Sequence, residues 1–358
     1  MSERRVFVEL NPFHSVTLFP YYASTATVMT DAIFANERLF GQELFDDIQA
    51  PKFRLSIIGL VRFLWGQRIQ RCHFNTINFT LNPITWETAK LNFLTLALPV
   101  ITRLCGCRND AIVHEADQFF ETGIDSCRRH SWFRQVIGRW FIRLFDHRYV
   151  LAPEVAAFLQ ARNICVKLLD PRSLSEFALS VVPAPVCDAL HQKVLCWIGP
   201  LVSSRRNWRP LAALDSEKLA ALDVSIVMLC DTTVGEGPDF QEAVRQHGLD
   251  KHFIFLGHRP TDRELFSWVR ASVGIVCLYG GREYGTTKTS GARLIACAFQ
   301  KAFIGTTPSL GVYHYNGSLL SACDTLNECI EHIVRMESKA RSALSSRVED
   351  IALRRELQ

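Results

Sequence analysis

From Val194 onward the chain alternates short apolar runs with longer helical stretches, and this rhythm constrains the fold more than any other feature. Val194–Ile198, Val224–Leu229, Phe253–Leu256, Val273–Leu278 and Ala302–Ile304 read as strands. Pro238–His247, Asp262–Arg270 and Gly291–Phe299 read as helices between them. Such alternation is the pattern of βα units built on a parallel sheet. The N-terminal half shows it less cleanly. Val6–Leu10, Ala111–His114, Tyr149–Ala152 and Cys165–Leu169 read as strands, and a helix opens at Pro153, a residue suited to a first helical turn, and runs on to Arg162. Ser180–Pro185 places two prolines in a short stretch and reads as an interdomain linker. The expected architecture is α/β, two doubly wound domains spanning 1–188 and 189–358.

Length supports the division, because 358 residues exceed what one hydrophobic core usually holds. The net charge of +4 suits an anionic substrate or membrane surface and falls far short of a nucleic-acid binder. The 12 cysteines are scattered, no apolar segment follows the first residues, and Cys105-Gly106-Cys107 has neither zinc-knuckle nor redox spacing. Reduced, mostly buried thiols in a cytoplasmic protein are expected. The longest apolar run, Leu91–Ile101, is broken by Asn92 and Pro99, whereas a spanning helix needs roughly 18 apolar residues or more.

A more specific reading comes from the order of short signals in the C-terminal half. Trp197-Ile198-Gly199-Pro200-Leu201 is followed by Arg205-Arg206. Phe253-Ile254-Phe255-Leu256-Gly257-His258 is followed by Glu264-Leu265 and Ala271-Ser272-Val273. Ser290-Gly291-Ala292-Arg293-Leu294-Ile295-Ala296 then leads to Lys301-Ala302-Phe303-Ile304-Gly305-Thr306. Over residues 190–335 this series resembles the C-terminal domain of GT-B glycosyltransferases, in particular the group 1 (GT4-like) members. The resemblance implies two Rossmann-like domains facing a central cleft, an N-terminal domain that binds the acceptor and a C-terminal domain that binds a nucleotide sugar.

The implied chemistry suits these residues. A helix starting at Ser290-Gly291 offers free backbone N–H groups and its positive dipole end to a diphosphate, and Gly291 has no side chain to obstruct the approach. Thr289 and Ser290 add hydroxyls that donate to the ligand or cap the helix. Arg205 or Arg206 can pair with the same diphosphate and stabilise the leaving group. A cradle of cations and backbone requires no metal or other cofactor, and no Asp-x-Asp motif is found. The loop 279–288, dense in glycine and polar residues, makes Arg282, Glu283 and Lys288 further donor-contact candidates. A plain helix start, a solvated arginine loop and a polar surface turn are the competing structural readings of these segments.

The chain departs from the family where retaining members carry two glutamates. Glu283 suits the first, but Ile295 stands at the second, and Gln300-Lys301-Ala302 replaces Gly-Lys-Pro. An inverting enzyme needs a group that accepts the acceptor hydroxyl's proton, and Asp117, Glu115 and His114 are candidates in that order. His14, in the loop after the first strand, is an acceptor-side candidate. Two segments combine arginines with aromatics. Lys52–Arg71 holds five basic residues and no acidic one, and Arg128–Arg148 holds six arginines against Asp146. Such segments lie on anionic lipid or pack as ordinary core-facing helices. The leading expectation is transfer of a sugar from a nucleotide sugar to a glycan or lipid-linked acceptor. A nucleotide-sugar epimerase and a degenerate binding or scaffold protein are the alternatives.

Overall fold

The computed structural model describes residues 3–10, 31–41, 45, 50–75, 77, 86–114, 116, 138–151, 153–168, 193–279, 290–299, 301–304 and 325–336. They form two compact units, one holding the described residues up to 168 and the other those from 193 onward. The predicted linker Ser180–Pro185 lies outside the described residues.

The N-terminal unit contains β1 (Arg5–Glu9), β2 (Ala32–Ala35), β3 (Lys52–Arg54), α1 (Ile57–Gln67), β4 (Arg71–Phe74), α2 (Trp86–Leu104), β5 (Arg108–Ile112), β6 (His147–Val150), α3 (Pro153–Gln160) and β7 (Lys167–Leu168). Its sheet runs β3-β2-β1-β4-β5-β6-β7, and every pairing is parallel. Ser56 caps α1 by accepting from the Gly59 N–H at 3.0 Å, and Arg68, at φ 50°, ends it in the left-handed region. The core packs Val6, Val8, Phe34 and Phe74 of the sheet against Leu60 and Leu64 of α1 and Leu98 of α2.

Two expectations for this unit are corrected. Lys52–Arg71 is not one basic helix but a strand, a helix and the start of another strand. β5 begins at Arg108, three residues before the expected Ala111, because its polar residues find partners. Asp110 is buried against Arg71 at 2.9 Å and His73 at 3.2 Å, and Asn109 donates to the Pro99 carbonyl and accepts from Thr102. His73, Asp110 and His147 are register partners on adjacent strands, which brings their side chains into one row. Glu3 closes the network on Arg71 at 3.1 Å, and Phe7 stacks on the His73 ring. A charge this deep is tolerated only when paired and hydrogen-bonded.

The C-terminal unit contains β8 (Lys193–Ile198), α4 (Arg209–Ala212), α5 (Ser216–Ala221), β9 (Val224–Leu229), α6 (Gly237–Gln246), β10 (Phe253–Phe255), α7 (Asp262–Ala271), β11 (Gly274–Val276), α8 (Gly291–Ala298), β12 (Ala302–Ile304) and α9 (Leu326–Arg335). The sheet runs β10-β9-β8-β11-β12, again all parallel. β8 and β9 are apolar apart from Lys193 and Ser225, because a parallel sheet covered on both faces has no solvent side. Trp197, Phe240 and Val276 lie at the centre of its core. Thr261 caps α7, and Thr325 with Glu328 forms a reciprocal capping box on α9. All described strands of this unit match predicted runs, whereas α4, α5 and α9 were not predicted.

Candidate functional site

In an open α/β sheet, ligands sit outside the carboxyl ends of the strands where strand order reverses. In the C-terminal sheet that point lies between β8 and β11. β8 leaves the sheet through Gly199, at φ 98°, and the chain returns over it so that the Arg206 guanidinium donates to the Ile198 carbonyl. A side chain at 199 would overlap that guanidinium. Arg206 is buried, forms a β-bridge with Tyr279 just beyond β11, and its neighbour Asn207 donates through its backbone to the Leu278 carbonyl at 2.9 Å. Arg205 is exposed on the same turn, its N–H on the Val202 carbonyl.

Glu236 holds this loop in place. Its carboxylate accepts from the Ser203 backbone N–H at 2.8 Å, the Ser203 hydroxyl at 3.0 Å and the Trp208 indole at 2.7 Å. These bonds, the Ser203 N–H foremost, keep its pKa below the ordinary glutamate value, so it stays ionised. Gly237 follows because a side chain there would run into the Thr232 backbone. Burial raises the Cys230 thiol to about 12 and lifts that of Cys277, so neither places a negative charge near Arg206.

Ser290 stands directly before α8. It is buried, and its hydroxyl lies beside the Cys277 thiol. Gly291 is exposed, with open space where a side chain would stand. The first N–H groups of a helix have no partner within it. The start of α8 therefore offers N–H groups with no partner inside the helix and, at Gly291, unobstructed access. Ile295 is buried one turn along, so the position that resembles the family's second glutamate belongs to the core. On the far side of β8, His258 follows β10 and pairs with Glu264 at 3.0 Å, which raises its pKa, while the Thr233 hydroxyl and N–H lower that of Asp231 after β9.

The N-terminal sheet reverses order between β1 and β4. Glu9 closes β1 there, fully buried, and accepts from the Asn75 side-chain amide just past β4. The Asn75 carbonyl oxygen of the side chain is buried without a hydrogen-bond partner. His114, beyond β5, is buried with its Nε2 at 3.0 Å from the Asn75 backbone carbonyl. Of the predicted residues the structure thus places His114, Arg205, Arg206, Ser290 and Gly291. His14, Glu115, Asp117, Arg282, Glu283, Lys288 and Thr289 lie outside the described residues. Sequence reasoning missed Glu9, Asn75 and Glu236. A glutamate ending the apolar strand Val6-Phe7-Val8 was the one available signal.

No protein-family model matches the sequence, and comparison with curated proteins gives no match. Solved structures match over nearly the whole chain. The chain is similar to a glycosyltransferase from Rickettsia africae at 10% identity and TM-score 0.54, covering 100% of this chain and 97% of that one. The Anabaena protein HepE in complex with UDP-glucose matches at 12% identity and TM-score 0.56, covering 98% and 95%. The UDP-GlcNAc 2-epimerase from Methanocaldococcus jannaschii matches at 9% identity and TM-score 0.55, covering 98% and 99%. With two parallel, doubly wound sheets and these neighbours, the chain has the GT-B fold.

Proposed function

We propose that the chain transfers a sugar from a nucleoside-diphosphate sugar to a glycan or lipid-linked acceptor in polysaccharide or glycoconjugate synthesis. Residues 189–358 form its donor domain and residues 1–188 its acceptor domain. The observation that carries the reading is the buried Arg206 at the switch point of the C-terminal sheet. In this reading Arg206, Arg205, Ser290 and the first turn of α8 hold the diphosphate. Arg282, Glu283, Lys288 and Thr289 add contacts from the segment before that helix. A fixed guanidinium and oriented N–H groups stabilise charge developing on the leaving phosphate without reorganisation. Cations and backbone supply this charge, so turnover persists under chelation. The proton of the acceptor hydroxyl passes to Asp117, with Glu115 and His114 as the next candidates, while Glu9 and Asn75 set the polarity around His114 and His14 contacts the acceptor. The protein works in the cytoplasm.

A panel of nucleotides and nucleotide sugars tests the donor half, because a ligand bound only by the native state raises Tm. One nucleoside-diphosphate sugar is expected to stabilise the chain. Replacing Arg205 and Arg206 by glutamine should weaken the diphosphate far more than the free nucleoside. Equal losses for both ligands, or no stabilising nucleotide at all, would sink the donor site. The fold shared with UDP-GlcNAc 2-epimerases supports a second reading, epimerisation of the free nucleotide sugar. Interconversion without an acceptor identifies it.

A further inference from the structure

Helices packed on a sheet normally turn their apolar side inward, and α1 and α2 do so with Leu60, Leu64 and Leu98. Both nevertheless present large apolar side chains to solvent. Trp65 is 67% exposed and Trp86 83%, and Ile58, Phe93 and, on β3, Phe53 are exposed as well. The pattern is the same on each helix: Ile58, Arg62 and Trp65 on α1, and Trp86, Lys90 and Phe93 on α2, all exposed. The spacing i, i+4, i+7 puts each apolar–cation–apolar triple on one stripe. The two helices touch each other, so the stripes belong to one helical layer. Beside α1, at the sheet edge, an open groove of about 470 Å³ is walled by Phe34, Phe53 and Phe63, and Arg54 and Arg62 are among its other lining residues.

Charge identifies the partner. No carboxylate occurs from Lys52 to Arg71, and Glu87 is the one acidic residue in the two helices. Arg71 is committed to the buried network, whereas Arg54, Arg62 and Arg68 are exposed. A patch of this kind on a soluble surface marks an interaction site. Tryptophan and arginine are common in protein interfaces too, so charge decides: a face of exposed cations with no carboxylate between Lys52 and Arg71 complements an anionic surface, and aromatic rings interleaved with such cations suit a position among lipid headgroups. We infer that the outer face of α1 and α2, together with edge strand β3, docks the N-terminal unit on an anionic phospholipid bilayer. The aromatic rings sit at the headgroup–acyl boundary and the cations meet the lipid phosphates. This inference goes beyond the transferase reading and does not depend on it.

The test is sedimentation of the full chain with vesicles of phosphatidylglycerol and phosphatidylcholine, and with phosphatidylcholine alone, without any nucleotide sugar. Binding to the anionic vesicles alone is expected, falling as salt is added. Arg54→Gln with Arg62→Gln should weaken partitioning about fivefold per charge removed. Trp65→Ser with Trp86→Ser should weaken it at least about tenfold, since each removes a large apolar area from the interface. Both variants change exposed positions and should melt like the parent. Absence of sedimentation at low salt, or undiminished binding in either folded variant, overturns the inference. So does a concentration-dependent dimer, seen by light scattering, that the tryptophan variant abolishes, because the face then joins two copies of the chain.

Discussion

The two sheets reverse strand order beside their first strands, and an acidic side chain stands at one reversal and a basic one at the other. Between β1 and β4 stands the carboxyl group of Glu9, held by Asn75; between β8 and β11 stands the guanidinium of Arg206, donating to the Ile198 carbonyl, on a backbone bridged to Tyr279. The same position in the same kind of sheet is thus tuned for different chemistry. A fixed cation suits a diphosphate, and a carboxylate with a neighbouring histidine suits a hydroxyl that must lose a proton. The units also differ inside their sheets. β8 is apolar apart from Lys193 at its edge and β9 apart from Ser225, while the N-terminal sheet buries Arg71, Asp110 and His73. In the proposed reading the polar groups at the carboxyl ends serve ligands, and those within the strands serve stability.

The sharpest way to break this distinction is to remove Asp110. Losing one partner of a buried ion pair costs about 3–5 kcal/mol, so Asp110→Ala should unfold the N-terminal unit at much lower urea. Nucleotide binding by molecules that remain folded should be unaffected. A cost near zero would mean that the network is incidental.

Next in size is the acceptor side. Asp117→Asn keeps the shape and removes the basicity, so turnover should fall roughly 10²-fold while donor stabilisation stays normal. Glu9→Gln separates two versions of the comparison. A comparable loss brings Glu9 into proton transfer, and full activity leaves it as a positioning residue for Asn75 and His114. A product with retained anomeric configuration would remove the base from the mechanism altogether.

The donor side is tested at Gly291, where open space allows a larger residue without disturbing the fold. Gly291→Trp should melt like the parent but bind the nucleoside diphosphate about tenfold or more weakly, a loss of about 1.4 kcal/mol. Unchanged affinity would place the ligand elsewhere.

Two smaller effects refine the picture. Burial, reinforced by Arg5, Arg71 and His147, holds His73 neutral with a pKa well below the usual histidine value. The unfolded chain takes up a proton near pH 6.5 that the native state refuses. Stability therefore persists above that pH and declines below it, with a slope of at most about 1.4 kcal/mol per pH unit from this one group. Thermal melts across pH 5 to 8 should show the decline, and His73→Gln should flatten it even if it lowers stability overall. Smallest of all, Arg205→Gln should weaken the diphosphate only about threefold and lose that effect in high salt, because exposed charges are screened. A larger change than at Arg206 would reverse their assigned importance.

Legibility in the sequence followed burial of a simple kind. β9 and β12 begin and end where the apolar runs do, because strands covered on both faces are apolar along their whole length. β4 reads Arg-Cys-His-Phe, and nothing local marks it as a central strand. Asp110, Glu3 and His147, 39, 68 and 76 residues from Arg71, make those side chains tolerable in a sheet. Arg206 and Ser290 were legible as candidates because they stand near strong punctuation, Arg206 after the glycine that ends a strand and Ser290 just before the glycine that opens a helix. Glu9, Asn75 and Glu236 were not, since each acquires its role from a partner on another element.

The amino-acid sequence by itself determined that this protein is α/β, that its C-terminal half winds doubly around a parallel sheet, and that a cationic loop and a glycine-led helix follow two of its strands. These are consequences of periodicity and of backbone geometry, which act over a few residues. The tertiary structure decided which polar residues are buried, with what partners, and at which end of which strand. It turned Arg71 inward while leaving Arg62 and Trp65 outside, and it brought Glu9 beside Asn75, 66 residues away. The cost of burying a charge depends on what lies within a few ångströms, and that neighbourhood exists only once distant strands have paired.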